Sequence, residues 1–194
     1  MQQLKLYSHQ IMIKKLLFLS VIAIAITSCS KPQDPFEIGK RYIGLLTDST
    51  QVKDLKLAFP EDSITSIVKA ISFSSSSSQI EIYSNTGEKL LTLTATRPND
   101  STATIKTVKI ESPLYKTTNG INKKSTFKDI KDNFKINKID NLIGNVVVSV
   151  KEINAAFTID KTELPAELRF DNTQTIDQLQ IPGKAKIKYF MLHW

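Results

Sequence analysis

The chain has 194 residues, 26 Lys and Arg against 19 Asp and Glu, a net charge of +7 and an apolar fraction of 41%. The single cysteine, Cys29, excludes an internal disulfide, so stability must come from burial. Six glycines leave little material for a phosphate-cradling loop or a dinucleotide fingerprint, and neither pattern occurs.

The first element is a leader. Lys14 and Lys15 form a positive patch, eleven residues from Leu16 to Ile26 are apolar except for Ser20, and Thr27-Ser28-Cys29 follow. That order is the grammar of a secretory signal peptide. The apolar run is too short for a membrane-spanning helix, which needs ~20 residues. Met12 is an alternative start, because the positive region counted from Met1 is unusually long. The stretch Ile26-Thr27-Ser28-Cys29 resembles the lipobox of bacterial lipoproteins. The resemblance implies cleavage before Cys29, diacylglycerol on its sulfur and acylation of the new amino terminus. With more than one acyl chain, anchorage is firm rather than reversible. Ser30, not Asp, follows the cysteine, and by analogy with lipoprotein sorting in enteric bacteria this favours the outer membrane, with the leaflet left open. Residues 1–28 are therefore expected to be a signal peptide and 29–35 an acylated cysteine with a short proline-containing tether. Residues 36–194 are the globular part. Loss of the leader leaves 194 minus 28, or 166, residues and removes three lysines, lowering the charge to +4. The basic balance then gives a nucleic-acid partner no support.

The globular part repeats itself at an offset of 75. Thr50-Gln51-Val52-Lys53-Asp54-Leu55-Lys56 aligns without a gap on Ser125-Thr126-Phe127-Lys128-Asp129-Ile130-Lys131, Phe59 aligns on Phe134, and Leu46 aligns on Ile121, each shortly after a glycine (Gly44, Gly120). Thr50 and Ser125 are expected N-caps, since their hydroxyls can accept an orphan backbone N–H. Apolar spacings of three and four give each copy a helix of about nine residues, stopped in the first by Pro60. A helix that short persists only when docked on a sheet. The Lys-Asp-x-Lys charges then form its solvated face.

Strands follow each helix. Ile64, Ile67, Val68 and Ile71 stand at helical spacing, but the β-branching of Ser63 to Phe73 favours strand. The serine run Ser74 to Ser78 is expected to be a turn. Gln79 to Ala95 is a hairpin around Ser84-Asn85-Thr86-Gly87, and Thr102 to Ser112 a further strand. In the second copy Asn145 to Asp160 is a hairpin turning near Glu152 to Asn154, Asn172 to Pro182 is a loop, and Lys184 to Trp194 is the last strand. The fold class is α+β, a duplicated unit of short helix on antiparallel sheet with halves near 36–112 and 113–194.

The sequences from Gly44 to Phe59 and from Ile105 to Phe134, with the ending Ala185 to Trp194, resemble a domain of unknown function in sigma-E-regulated envelope-stress lipoproteins. Those proteins also carry a lipobox leader, a Gly-Ile-x-x-x-Ser/Thr turn before a helix, and a last strand ending near tryptophan. The likeness covers most of residues 36–194, and it implies no catalytic residue. The chain departs from the pattern in lacking further cysteines and in its longer stretch before the last strand. The duplicated unit also resembles the tandem fold of β-lactamase-inhibitor and outer-membrane-assembly lipoprotein domains.

Beyond the leader, His193 is the one histidine, too few for a His/Cys metal site and without a partner for general-base work. Asp48-Ser49-Thr50 lacks calcium-loop spacing, and Glu61-Asp62 and Asp160 with Glu163 are loop carboxylates. No nucleophile-elbow serine occurs. Catalytic, cofactor-binding and metal-binding residues are accordingly expected to be none, and Cys29 is the single site residue. Lys106 to Lys138 holds nine lysines and three acidic residues, either a basic face or lysines exposed separately. Tyr115, Tyr189, Phe190 and Trp194 could make an aromatic surface, though core filling accounts for most of them. The expectation is a non-enzymatic envelope lipoprotein, held to the membrane by its anchor, binding a protein or polymer near the outer membrane. The alternative is a carrier or sensor of a small apolar ligand.

Overall fold

A computed structural model describes residues 33–72 and 75–194 of the chain; the leader and Cys29 lie outside them. Three two-residue strands come first, β1 (Glu37–Ile38), β2 (Tyr42–Ile43) and β3 (Leu46–Thr47). A 3₁₀ turn (Val52–Asp54) runs into α1 (Leu55–Ala58). Four strands follow, β4 (Ser63–Ser72), β5 (Ser75–Tyr83), β6 (Lys89–Ala95) and β7 (Ile105–Ile110). The second copy opens with β8 (Lys116–Thr117) and α2 (Phe127–Asn133). Its four strands are β9 (Ile136–Leu142), β10 (Asn145–Val150), β11 (Ala155–Asp160) and β12 (Ile187–His193).

The fold is α+β and duplicated. Each half is one short helix followed by a four-stranded antiparallel meander, and the two meanders join through their last strands into one sheet, β4-β5-β6-β7-β12-β11-β10-β9. At the seam Ile110 pairs with Phe190 and Val108 with Leu192. The halves repeat down to single hydrogen bonds. Val52 N–H donates to the Ala103 carbonyl and Phe127 N–H to the Ala185 carbonyl, both at 2.9 Å. Lys53 and Lys128 do the same to Ser101 and Gly183, at 2.8 Å. Bridges Gln51–Thr104 and Thr126–Lys186 sit beside them. Each helix start is thus pinned to the segment leading into its own half's fourth strand.

This pinning corrects the expected caps. The helices start after Gln51 and Thr126, one residue later than Thr50 and Ser125. Thr50 and Ser125 instead turn their hydroxyls back to accept from Thr47 N–H (3.0 Å) and Asn122 N–H (3.1 Å), closing the preceding turn. Gln51 makes no side-chain cap, and the first helical N–H of that copy bonds the Ala103 carbonyl. Thr126 and Asp129 form a capping box. The regular helices are shorter than nine residues.

The serine run is the second correction. Ser75 to Ser78 belong to β5, where Ser76 to Ser78 pair with Ala70 to Val68 and Ser75 pairs with Ser72 across a register shift. Serine side chains offer little to a strand, but the backbone ladder with β4 does not need them. The hairpin turns at 84–88 and 151–154 fall where expected, with Gly87 and Asn154 at positive φ. The loop before the last strand contains a 3₁₀ turn, Gln178–Gln180.

Strand alternation places Ile80, Ile82, Leu91, Leu93, Val108, Ile110, Phe190, Leu192, Phe157, Ile159, Val146 and Val148 on one face, all nearly inaccessible. Leu55, Phe59, Phe127, Ile130 and Phe134 from the helical segments join the same core. Phe157 bridges Phe134 and Phe190, with ring centroids 6.4 and 4.5 Å away. The small sheet β3-β2-β1-β8 ties the halves together, because β1 of the first pairs in parallel with β8 of the second.

Candidate docking surface

The other face of the eight-stranded sheet is the candidate. Register carries one row of residues across it: Thr65, Glu81, Thr92, Lys109, Met191, Ala156, Ser149 and Lys138. Tyr189 and Thr158 pair in the next row. These positions alternate with the core residues, which is why the face is polar and aromatic rather than aliphatic.

Its side chains are cross-linked. Glu81 is buried and accepts from Tyr83 Oη and Lys89 Nζ, each at 2.6 Å. Glu111 accepts from Thr92 Oγ1 at 3.1 Å and lies 2.8 and 3.2 Å from Lys109 and Lys123 Nζ. Burial pushes the Glu111 carboxyl up, but hydrogen bonds from the two lysines hold it below the ordinary glutamate value. The Glu81 bond raises the Lys89 ammonium. Tyr189 has two cations near its ring, with Lys109 Nζ 4.6 Å and Lys188 Nζ 5.7 Å from the centroid. Lys188 occupies a bulge, since Thr158 pairs with Tyr189 while Ile159 pairs with Ile187. From there it reaches Asp160 at 2.8 Å. That bond and two from Thr162 hold the Asp160 carboxyl at about 2.

The expected features are distributed as follows. Cys29 lies outside the described residues. The lysines of 106–138 do not gather on one face. Lys109 and Lys123 converge on Glu111, Lys128 pairs with Asp132 along α2, Lys138 pairs with Asp140 on β9, and Lys116 is exposed on β8. Tyr115 and Phe190 are core, Trp194 packs partly against it, and Tyr189 is the exposed member of the aromatic set. His193 ends β12 with its pKa lowered by burial and by Lys106. Among the described residues no group of three or more His, Cys, Asp or Glu is placed to hold a metal. Between helices and sheet, Phe127, Ile130, Phe157 and Phe190 are all at 0% exposure. One surface cleft of about 280 Å³ is lined by Leu45, Thr47, Asp54 and Leu57, and another of about 240 Å³ by Ile136, Ile139, Thr175 and Asp177.

No family model and no curated protein matches the chain significantly. Among solved structures it is similar to the uncharacterized protein YfeY from Escherichia coli, at 12% identity and a TM-score of 0.55. The likeness spans 81% of this chain and 99% of that one. The two share a fold. At that identity YfeY lends the chain an architecture and no residue role.

Sequence reasoning missed most of this face. The pairings of Glu81 with Lys89 and of Glu111 with Lys123 join residues eight and twelve apart, the first across the β5–β6 hairpin and the second through the loop before α2, and neither spacing marks the pair in the sequence.

Proposed function

We propose that the chain is a lipid-anchored envelope protein, without catalytic activity of its own, whose sheet face docks a protein or polymer partner near the outer membrane. The observation that carries the docking half is the face itself. Tyr189 stands 37% exposed near Lys109 and Lys188, beside Met191 and the Glu111 network, on a sheet whose opposite face is filled by core. Tyrosine and methionine held on strands are what protein interfaces favour, and groups already held rigid lose little side-chain entropy on contact, while the flanking lysines favour a partner of complementary charge. The anchor half rests on Lys14-Lys15, the apolar run and Ile26-Thr27-Ser28-Cys29. The finer family reading, sigma-E-regulated envelope lipoproteins, is supported by the Gly120-Ile121 turn before α2, the Trp194 ending and the fold shared with an Escherichia coli protein.

The test places a photo-crosslinking residue at Met191 on the face and at Lys131 on α2, in cells of the native host. A specific adduct at position 191, absent at 131 and lost on Cys29→Ala, is the expected result. Adducts at both positions alike, or at 131 alone, overturn the docking face. Equal fatty-acid labelling of wild type and Cys29→Ala overturns the anchor.

A further inference from the structure

The two copies differ at one cleft, and the second copy shows what the same positions do when they are only structural. The cleft of about 280 Å³ is formed by the β3 end, the turn after it and α1, on the helical segment rather than on the sheet face. Leu45 and Leu57 line it while 55% and 77% exposed. At the offset of 75, Leu45 falls on Gly120, Leu57 on Asp132 and Ser49 on Lys124. Asp132 pairs with Lys128 at the surface of α2. The first copy therefore holds an exposed leucine where the second holds a solvated charge.

The carboxylate differs in the same way. Asp129 of the second copy is taken up by its cap, accepting from Thr126 N–H (2.7 Å) and Oγ1 (2.9 Å). The aligned Asp54 has Gln51 in place of that threonine, and neither Gln51 nor Asp54 makes a side-chain cap bond. Asp54 has no side-chain hydrogen bond or ion pair among the described residues, and it is the one charged residue of those that line the cleft. Lys56, on the same helix, donates instead to the Asp62 carbonyl at 2.8 Å. Beside the carboxylate lies a knot of hydroxyls. Thr47 Oγ1 is 3.0 Å from both Ser49 Oγ and Thr50 Oγ1, and Thr50 Oγ1 accepts from Thr47 N–H. Each hydroxyl oxygen has two lone pairs, so these bonds leave acceptor capacity unused.

We propose that this cleft binds an aliphatic primary ammonium, with its carbon stem against Leu45, Leu57 and Ala58 and its charge on Asp54. An ammonium brings three donors and no acceptor, which suits one carboxylate flanked by hydroxyl oxygens. Its stem lies along apolar surface while its head stays polar. An anion is repelled by Asp54, and a wholly apolar ligand would strip water from the carboxylate without replacing it. One carboxylate is too small a ligand set for calcium or magnesium. The same group is carried by a free diamine and by the lysine side chain of a protein.

The test titrates the isotope-labelled full chain, purified from membranes in non-ionic detergent, and follows its amide signals by NMR. The probes are cadaverine, for a free amine, and Nα-acetyl-lysine methylamide, for a protein side chain. Saturable shifts at residues 45–58, absent from the aligned 120–133 and weakened by added salt, are the expected result. Asp54→Asn is expected to bind several-fold more weakly. Gln51→Thr supplies the partner that Thr126 gives Asp129, and is expected to weaken binding while raising the melting temperature. Both positions are partly exposed, so neither change opens the core. Saturation by the lysine amide alone supports the site and makes its source a protein side chain, and saturation by cadaverine alone supports it as a site for free amines. No saturable shift with either probe at millimolar concentration overturns the proposal. Equal affinity in Asp54→Asn, equal shifts in the two copies, or undiminished binding in Gln51→Thr overturns it as well.

Discussion

Two glycines near the start of the two copies, one position out of alignment, separate two costs that are usually confounded. Gly44 and Gly120 both have left-handed backbones, with φ of +54° and +80°. A Cβ on Gly120 meets nothing within 4 Å, so Gly120→Ala carries only the left-handed penalty, about 1–2 kcal/mol. A Cβ on Gly44 would stand 2.1 Å from the Pro35 carbonyl oxygen, and relief requires pulling the start of β1 away from its turn. Gly44→Ala is expected to cost more, about 3 kcal/mol or above, adding a steric conflict to the strained backbone. Chemical denaturation of the two variants checks this. Equal losses would show that the first residues before β1 yield freely.

Among the elements, Asp160 is the joint of the second half. It ends β11, accepts from Thr162 N–H (3.0 Å) and Oγ1 (2.9 Å) to start the following 3₁₀ turn, and holds the Lys188 bulge of β12. Its folded carboxyl titrates at about 2, below the ordinary aspartate value. A depressed folded pKa adds stability above the unfolded value near ~4 and loses it as pH falls through the folded value. Asp160→Asn is therefore expected to melt below wild type at neutral pH, with the gap closing between about pH 4 and pH 2. A gap that stays constant over that range would mean that the charge contributes nothing. The site is largely solvated, so the effect is modest. Elements with a clear period were legible beforehand: both hairpins, β7, β12 and the two helical segments showed apolar spacing of two or of three and four. β1, β2, β3 and β8 were not, because two residues have no period. β9 was missed since Ile136 and Ile139 are three apart along an edge strand whose register shifts opposite Val150. The serine strand was missed because backbone pairing, not side-chain preference, builds it.

At the scale of the whole molecule, duplication produced one folding unit rather than two. Each meander alone would expose its fourth strand, β7 or β12, as an unpaired central edge carrying core side chains on one face. The core is also shared: Phe190 of β12 sits opposite Ile110 of β7, and β1 of the first half hydrogen-bonds β8 of the second. The repeat itself was readable in Val52–Phe59 against Phe127–Phe134. The seam was not, because nothing in either strand's sequence names its partner. A fluorescent reporter is already at the seam. Trp194 is the chain's one tryptophan, and its backbone N–H bonds the Lys106 carbonyl at 2.9 Å, beside the β7–β12 pairing. Tryptophan emission therefore reads the junction, while far-ultraviolet circular dichroism reads the strands of both halves. The two signals are expected to change together in urea, in one transition. Fragments 33–113 and 114–194 are expected to be unstructured apart and to regain the native spectrum when mixed. An early loss of tryptophan signal, or a half that folds by itself, would mean that the seam is an interface between two domains. The docking face would then be hinged at Lys109 and Tyr189, where a rigid platform requires it to be continuous.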